Sequence, residues 1–242
     1  MSKVLLFHIF PINTWKNVSD RLLAHVPHED IFVHVSIDPE LNNQEEVRSY
    51  LSAFPKVRSV FYSINSAHPE VDAMETFRAN INFHQYSILT YMHTKGVTKP
   101  ESQNIEDWTE LMRYFVLDKM NLCEKAFKRG YLLYGVNKTP ESGNQGHFKG
   151  IDFFYAGNFI SVNLTAEVVQ KIKTLPLPME YYGLEGFWGK LCTNQQAYNV
   201  FYSRINHYVT PFPAYLYKSW IRRTRYSITA FLYQKFYQWR KK

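Results

Sequence analysis

The sequence predicts an α/β protein with a mostly parallel central sheet and helices on both faces of that sheet. Short apolar, β-rich runs alternate with stretches of helical spacing through the first half of the chain. The runs are apolar almost throughout, as is typical of strands that are covered on both faces. Strands that are separated by helices favour βαβ connections and therefore parallel pairing.

The order of elements follows from this alternation. Strands are predicted at 3–10, 31–38, 57–64, 86–93 and 131–137, with a further strand within 151–163. Helices are predicted at 15–26, 45–54, 74–83, 104–130 and 165–175. The helix at 104–130 has the most regular apolar face, and Gly130 is a suitable residue to end it. Open sheets of this kind bind ligands outside the carboxyl ends of their strands.

Composition limits the class of protein. The chain has 242 residues, of which 45% are hydrophobic and 17% aromatic, which is ample for a sizeable core. Cys123 and Cys192 lack the paired spacing of a disulfide framework or a zinc site, so we expect buried free thiols. The apolar run at the N-terminus is short and contains His8, which is unlike a signal peptide or a membrane span. We therefore expect a cytoplasmic protein.

The positive charge is concentrated at the C-terminal end. From residue 186 to residue 242 there is no Asp or Glu, while ten Lys and Arg residues contribute +10. Because the whole chain carries +7, the first 185 residues carry −3. The main body is mildly acidic and the tail is strongly basic.

A His-Thr-Lys-Gly sequence follows the strand predicted at 86–93. His93 and Lys95 can bring two donors to a diphosphate, and Gly96 allows the backbone to come close to it. The simpler interpretation is that Lys95 is a solvated loop lysine and His93 ends the strand. The motif alone does not decide between the two.

Two later stretches contain further candidate residues. His147, Tyr155 and Asn158 flank the strand within 151–163, where Gly157 leaves room for a ligand; an edge hairpin with a histidine in its loop explains the same pattern. Glu185 lies among glycine and aromatic residues just before a predicted helix. Such a carboxylate can act as a general base with a raised pKa, or can simply interact with the helix dipole.

Together these motifs resemble a family of small GT-A-like glycosyltransferases that occur in bacterial surface-polysaccharide loci and large viruses and are related to rhamnan-synthesis enzymes. The resemblance covers roughly residues 1–210, with every motif in the same order. The motifs that carry it are His93 to Gly96, Trp108 to Phe115, Tyr134 to Asn137, His147-Phe148, Gly157 to Phe159 and Glu185 to Trp188.

The resemblance implies a transferase that uses a nucleotide-sugar donor, with a Rossmann-like N-terminal half for the donor and a C-terminal half for the acceptor. In most GT-A enzymes an Asp-x-Asp motif holds the diphosphate through a divalent metal such as Mn²⁺ or Mg²⁺. This sequence has no Asp-x-Asp motif, and His-Thr-Lys stands where that motif is expected. We therefore expect His93, Lys95 and Gly96 to hold the diphosphate directly, and metal dependence stays an open question.

The same resemblance suggests roles for the remaining residues. Glu185 is expected to deprotonate the acceptor hydroxyl in a direct displacement, and Asp38, at the end of the second strand, to contact the base or ribose. Asn137, His147, Tyr155 and Asn158 are expected to bind the sugar or the acceptor. Trp108 and Met112 lie on the apolar side of a helix and are expected to pack.

The sequence divides into a catalytic domain at 1–210 and a basic tail at 211–242. Within this tail, a helix is predicted over 214–242. Cationic residues beside Trp, Tyr and Phe are typical of a helix that lies on an anionic membrane surface. Residues 215–242 would then hold the enzyme on the inner face of the cytoplasmic membrane, near a lipid-linked saccharide acceptor in lipopolysaccharide or other surface-polysaccharide synthesis. The alternative is that the apolar stripe packs on the domain or on a second subunit. A tail without any acidic residue is unusual for an ordinary surface helix and favours the membrane.

Two other function classes fit parts of the sequence. A nucleic-acid or polyanion binding protein would use the same interleaved Arg and Tyr residues, but the basic charge is confined to the tail and no RNP-like, zinc or helix-turn-helix pattern is present. A nucleotide phosphohydrolase on a similar sheet lacks the phosphate-binding Gly-x-x-x-x-Gly-Lys-Ser/Thr motif and clustered carboxylates.

Overall fold

A computed structural model describes residues 2–41, 43–140, 150–180 and 182–229. Its strands are β1 (Lys3–Ile9), β2 (Asp30–Ile37), β3 (Val57–Ile64), β4 (Ile88–His93), β5 (Leu133–Val136), β6 (Lys138–Pro140), β7 (Phe153–Tyr155), β8 (Ile160–Asn163) and β9 (Ala197–Phe201). Its helices are α1 (Trp15–Leu23), α2 (Gln44–Leu51), α3 (Pro69–Asn80), α4 (Gln103–Arg113), α5 (Met120–Lys128), α6 (Ala166–Thr174), α7 (Gly183–Gly189) and α8 (220–229).

Seven of these strands form one sheet in the order β3-β2-β1-β4-β8-β5-β9. All the pairings are parallel except those of β8, which runs antiparallel to both β4 and β5. The predicted α/β class with a mostly parallel sheet is therefore confirmed. The chain moves outward from β1 to β3 and then returns to place β4 on the other side of β1. This reversal of strand order creates a crevice at the carboxyl ends of β1 and β4, where open sheets bind their ligands.

Helices cover both faces of the sheet, as the continuous apolar strands predict. One face packs against α1, α2 and α4 through residues such as Trp15, Val47 and Leu111. The other face packs against α3, α6 and α7 through residues such as Phe77 and Phe187. Successive residues of β1 from Val4 to Ile9 are all buried, because alternate side chains enter the two separate cores.

Two predicted elements are divided in the structure. The long helix at 104–130 is α4 and α5, separated by a π-helical turn at Tyr114–Asp118. The strand predicted within 151–163 is β7 and β8, because Gly157 and Asn158 have φ angles of 94° and 59° and reverse the chain direction between them. β7 pairs with β6 in a separate two-stranded sheet, whereas β8 enters the main sheet. The strands β6 and β9 are not predicted from the sequence.

The main core continues past residue 210, where the sequence suggests that the catalytic domain ends. Phe212 and Tyr217 are buried and belong to the core on the α4 face. The tail helix, predicted from residue 214, begins later than expected, because a 3₁₀ turn at Ala214–Leu216 precedes α8. The part of the predicted helix at 230–242 lies outside the described residues. Among the residues that the structure describes, no helix is long and apolar enough to cross a membrane.

Candidate active site

A cavity of about 260 Å³ opens at the crevice outside β1 and β4. Its walls include Phe10 after β1, residues 93–99 at and after the end of β4, Glu70 at the start of α3 and Glu185 at the start of α7. The predicted diphosphate residues and the predicted base thus line the same cavity. Two acidic side chains, Glu70 and Glu185, and two lysines, Lys95 and Lys99, line this crevice and give the site its chemical character.

Backbone contacts fix the His-Thr-Lys-Gly loop to the end of β1. The Thr94 backbone N–H donates to the His8 carbonyl at 3.0 Å, and the Phe10 N–H donates to the Thr94 hydroxyl oxygen at 2.9 Å. Gly96 has a φ of 90°, and a Cβ atom there would lie 2.6 Å from Cγ2 of Ile105. Only glycine satisfies both the backbone angle and the close approach of α4.

Lys95 is the more deeply placed of the two lysines that line the cavity, since it is half-buried whereas Lys99 is exposed. Its ammonium lies 4.0 Å from the centroid of the Trp108 ring, and it has no hydrogen bond or ion pair with any other residue in the described ranges. Burial lowers the pKa of Lys95, while Glu185 and Glu70 oppose this effect. The three N–H groups of the ammonium therefore remain available to an anion in the cavity.

His93 contributes a neutral ring rather than a second cation. Burial and the charge of Lys95 lower its pKa well below the usual value. Its Nδ1 atom lies 3.5 Å from Oε2 of Glu70, and its ring meets Phe159 edge-on. At neutral pH Lys95 carries the positive charge that the sequence assigns to the pair.

Glu185 is a buried carboxyl group at the start of α7 with a strongly shifted pKa. Burial raises its pKa to about 7, Lys95 lowers it, and Glu70 raises it further. Its Oε1 atom accepts the backbone N–H of Gly157 at 3.1 Å, which fixes the carboxyl group relative to the turn between β7 and β8. A Cβ atom on Gly157 would lie 2.6 Å from Sδ of Met112, so only a glycine lets the turn pack this closely against α4.

Glu70 is a site residue that the sequence analysis missed. It follows Pro69 at the first turn of α3, a position at which an acidic residue is commonly explained by the helix dipole. Its Oε2 atom accepts hydrogen bonds from the Tyr91 hydroxyl at 3.3 Å and from Nδ2 of Asn158. Burial raises its pKa, and Lys95 opposes that shift. No local pattern signals Glu70, because its partners come from β4 and from the turn before β8.

Asn158 meets the cavity only through Glu70. It is almost completely buried, and its Oδ1 atom accepts the indole N–H of Trp188 at 2.7 Å. The amide therefore holds Glu70 to α7 and the β7–β8 turn. The structure brings Asn158 to the site as a support for Glu70.

Asn137 lies away from the cavity in a buried polar cluster. Its Oδ1 atom accepts the Ser203 backbone N–H at 2.9 Å, and its Nδ2 atom lies 3.2 Å from Nε2 of His207. The His207 ring stacks on Trp108 with centroids 5.2 Å apart and an angle of 9° between the planes. The cluster supports the aromatic ring on which Lys95 rests.

The remaining predicted residues lie outside the described cavity. Tyr155 is buried, and its hydroxyl donates to the Tyr198 carbonyl at 2.9 Å. Asp38 follows β2, where its carboxylate accepts the Glu40 N–H at 3.0 Å within a turn. His147 lies outside the described residues.

The donor set of the cavity does not fit a divalent metal held by the protein. Oε2 of Glu70 already accepts donors from protein side chains, and the Lys95 ammonium would repel a second cation. Within the described residues, no group of three or more His, Cys, Asp or Glu side chains could hold a metal ion.

No protein-family model matches the sequence, and no curated protein matches it either. Among solved structures, TarS from S. aureus is 7% identical with a TM-score of 0.45, and the match covers 78% of this chain. The chain spans about half of that TarS chain, 54% of its length. HddC from Yersinia pseudotuberculosis is 11% identical with a TM-score of 0.40, over 76% of this chain and 84% of that chain. A 4-diphosphocytidyl-2C-methyl-D-erythritol synthase is 13% identical with a TM-score of 0.39, over 93% and 100% of the two chains.

Proposed function

We propose that this protein is a glycosyltransferase that moves a sugar from a nucleotide-sugar donor to a saccharide or lipid-linked saccharide acceptor in surface-polysaccharide synthesis. The observation that carries the proposal is the Lys95 ammonium, which rests on Trp108 with its donors facing the cavity at the carboxyl end of β4. A fixed cation between two carboxylates suits a donor that is anionic at its diphosphate and rich in hydroxyl groups at its sugar. The family resemblance assigns the diphosphate to the same loop.

The reaction is a direct displacement at the anomeric carbon of the donor sugar. The acceptor oxygen forms a bond to this carbon while the bond from the carbon to the phosphate oxygen breaks. Glu185 takes the proton of the acceptor hydroxyl, and its pKa of about 7 leaves a large fraction ionised at neutral pH. Lys95 stabilises the negative charge that develops on the departing nucleoside diphosphate. A single displacement inverts the anomeric configuration.

The topology of the sheet supports a position for the donor nucleotide. The diphosphate lies against Lys95 and the backbone around Gly96, and the nucleoside extends along the carboxyl ends of β1 and β2 toward Asp38. Neutral His93 donates a hydrogen bond rather than a charge, because burial lowers its pKa. Asp38 contacts the base or ribose.

Helix α8 supplies the contact with the inner membrane surface. Trp220, Ile221 and Ile228 are 70%, 69% and 55% exposed, and Arg222 and Arg225 of the same helix are exposed too. Exposed apolar and cationic side chains on one helix favour binding to an anionic leaflet. The helix is joined to the protein by its inner side, where Tyr226 meets Phe212 with ring centroids 5.1 Å apart.

A calorimetric screen of UDP-, GDP-, dTDP- and CMP-sugars, each with and without Mn²⁺, tests the proposed function. We expect one nucleoside diphosphate class to bind in the absence of the metal, since Lys95 provides the cation. Binding of none of these donors under either condition would exclude a nucleotide-sugar transferase.

A further inference from the structure

Glu70 has one carboxylate oxygen that is fully engaged and one that is not. The Tyr91 hydroxyl, Nδ2 of Asn158 and Nδ1 of His93 all approach Oε2. Oε1 has no hydrogen bond or ion pair with any residue in the described part of the chain. The side chain is 29% exposed and lines the cavity. This oxygen is open to the cavity, so a ligand that replaces water there has to supply a hydrogen-bond donor.

The orientation of this carboxylate is fixed through Trp188. An indole N–H can only donate, and it donates to Oδ1 of Asn158 at 2.7 Å. The amide oxygen of Asn158 therefore points to Trp188, and its NH₂ group must point to Glu70. The amide thus donates to one carboxylate oxygen of Glu70 and leaves the other oxygen directed to the cavity.

The space beside Oε1 belongs to the cavity that Lys95 and Glu185 also line. A phosphate group would be repelled by Glu70 and attracted by Lys95. The anionic part of a ligand would therefore lie near Lys95 and a neutral part near Glu70. The neutral part has to present a hydrogen-bond donor to Oε1, and the hydroxyl groups of a sugar supply such donors. A pyranose ring attached to a diphosphate has this arrangement of groups.

We propose that Glu70 is a specificity-determining residue whose Oε1 atom accepts a hydrogen bond from a hydroxyl group of the donor sugar. The inference rests on the proposed function and defines its substrate class as nucleotide sugars that have a free hydroxyl at this position. Analogues that lack the hydroxyl are rejected, because Oε1 would then be buried without a partner.

The test compares a nucleotide sugar with its nucleoside diphosphate on Glu70→Gln. The substitution keeps the shape of the side chain. Asn158 and Tyr91 select the amide oxygen of the new side chain, so its NH₂ group faces the cavity where an acceptor oxygen stood. The probes are the tightest-binding nucleotide sugar among the UDP-, GDP- and dTDP-sugars and the corresponding nucleoside diphosphate, measured by calorimetry. Glu45→Gln is the matched control, since Glu45 also lies in the first turn of a helix but is exposed and paired with Arg48.

We expect Glu70→Gln to weaken binding of the nucleotide sugar by about tenfold or more, because a hydrogen bond to a charged group is lost. The free nucleotide should bind as well as before or more tightly, because a negative charge near Lys95 is removed. Glu70→Asp, which retains the charge but withdraws the oxygen, should weaken only the nucleotide sugar. Thermal unfolding of each variant checks that the fold is retained.

The role of Glu70 would be overturned if Glu70→Gln and Glu70→Asp weakened binding of both probes equally, or weakened binding of neither. The proposed function would then remain intact. Failure of the wild-type protein to bind any probe would overturn the proposed function itself, and with it the role of Glu70. The two failures are therefore distinguishable.

Discussion

At Lys95, burial and neighbouring charge act on the pKa in opposite directions. Burial favours the neutral amine, whereas Glu185 and Glu70 favour the ammonium. Lys95 in turn lowers the pKa of both carboxyl groups. These three residues form one electrostatic unit, so that a change in any of them alters the protonation of the others.

Lys95→Met should abolish most of the affinity for nucleoside diphosphate. The substitution removes charge-assisted hydrogen bonds to phosphate, each worth about 1.5–3 kcal/mol, and leaves two carboxyl groups that repel the ligand. We expect a loss of at least about tenfold in calorimetric affinity. Lys16→Met is the control, because Lys16 also lies near a tryptophan ring, 5.7 Å from that of Trp15, but is exposed outside the cavity. Equal affinities of the two variants would refute the phosphate site.

The pH dependence of turnover reports on Glu185. As a base it acts only when ionised, and its pKa is about 7. The value of kcat/KM should therefore fall as the pH decreases below about 7 and level off above it. Because Glu70 raises the pKa of Glu185, the fall should move to lower pH in Glu70→Gln. Glu185→Gln should lose activity at all pH values, and an unchanged pH profile in this variant would assign the base to another residue.

At the scale of elements, the sequence was sufficient wherever a pattern is local. The strands β1 to β4 and the helices α1 and α2 follow from apolar runs and helical spacing, and the His-Thr-Lys-Gly loop follows from its place after β4. Helix α3 begins at Pro69, five residues before the predicted start at residue 74. The end of the strand at β7 was missed because its apolar run continues to β8, and only the left-handed φ angles of Gly157 and Asn158 separate the two. Glu70 was missed because its partners are distant in the sequence.

The close approach of α4 to the loop after β4 can be tested at Gly96. An alanine there must adopt a φ near 90° and place its Cβ 2.6 Å from the Ile105 side chain. We expect a decrease of about 1–3 kcal/mol in the free energy of unfolding from the backbone alone, and a further loss from displacement of the helix. Donor affinity should fall as well, because Lys95 moves with the loop. Denaturant unfolding and calorimetry measure the two effects.

Gly130→Ala is a control that separates backbone strain from steric overlap with a neighbouring side chain. Gly130 has a φ of 92°, almost the same as Gly96, but a Cβ there meets nothing within 4 Å. This variant should show the backbone cost alone and keep full donor affinity. If Gly96→Ala were no less stable than Gly130→Ala and bound the donor equally well, the packing of α4 would not position the phosphate loop.

At the scale of the whole molecule, α8 lies on the same side of the sheet as the aromatic support of Lys95. Tyr226 meets Phe212, Phe212 meets His207, and His207 stacks on Trp108. A continuous series of packed rings thus joins the basic helix to the cavity. The proposed membrane contact of α8 would therefore stand in a fixed relation to the cavity.

Membrane binding through α8 predicts two separable effects. Arg222→Gln with Arg225→Gln should weaken binding to phosphatidylserine-containing vesicles by about 2 kcal/mol, near thirtyfold, since each basic residue is worth about 1 kcal/mol at an anionic surface. Trp220→Ser with Ile221→Ser removes the apolar contact and should weaken binding even at high salt. Both pairs are exposed, so the fold should be retained. Ile64→Ser is the control, because Ile64 is 70% exposed but lies on β3, at the edge of the sheet.

Vesicle co-sedimentation in the presence of a random single-stranded oligonucleotide distinguishes a membrane surface from a general polyanion. A membrane helix needs its apolar side chains as well as its charges, whereas a polyanion site needs the charges and stacking rings. We therefore expect the double variant Trp220→Ser with Ile221→Ser to lose vesicle binding while any weak oligonucleotide binding persists. Tight oligonucleotide binding that displaces the vesicles, or equal losses in Ile64→Ser, would contradict the assignment of α8 to a lipid surface.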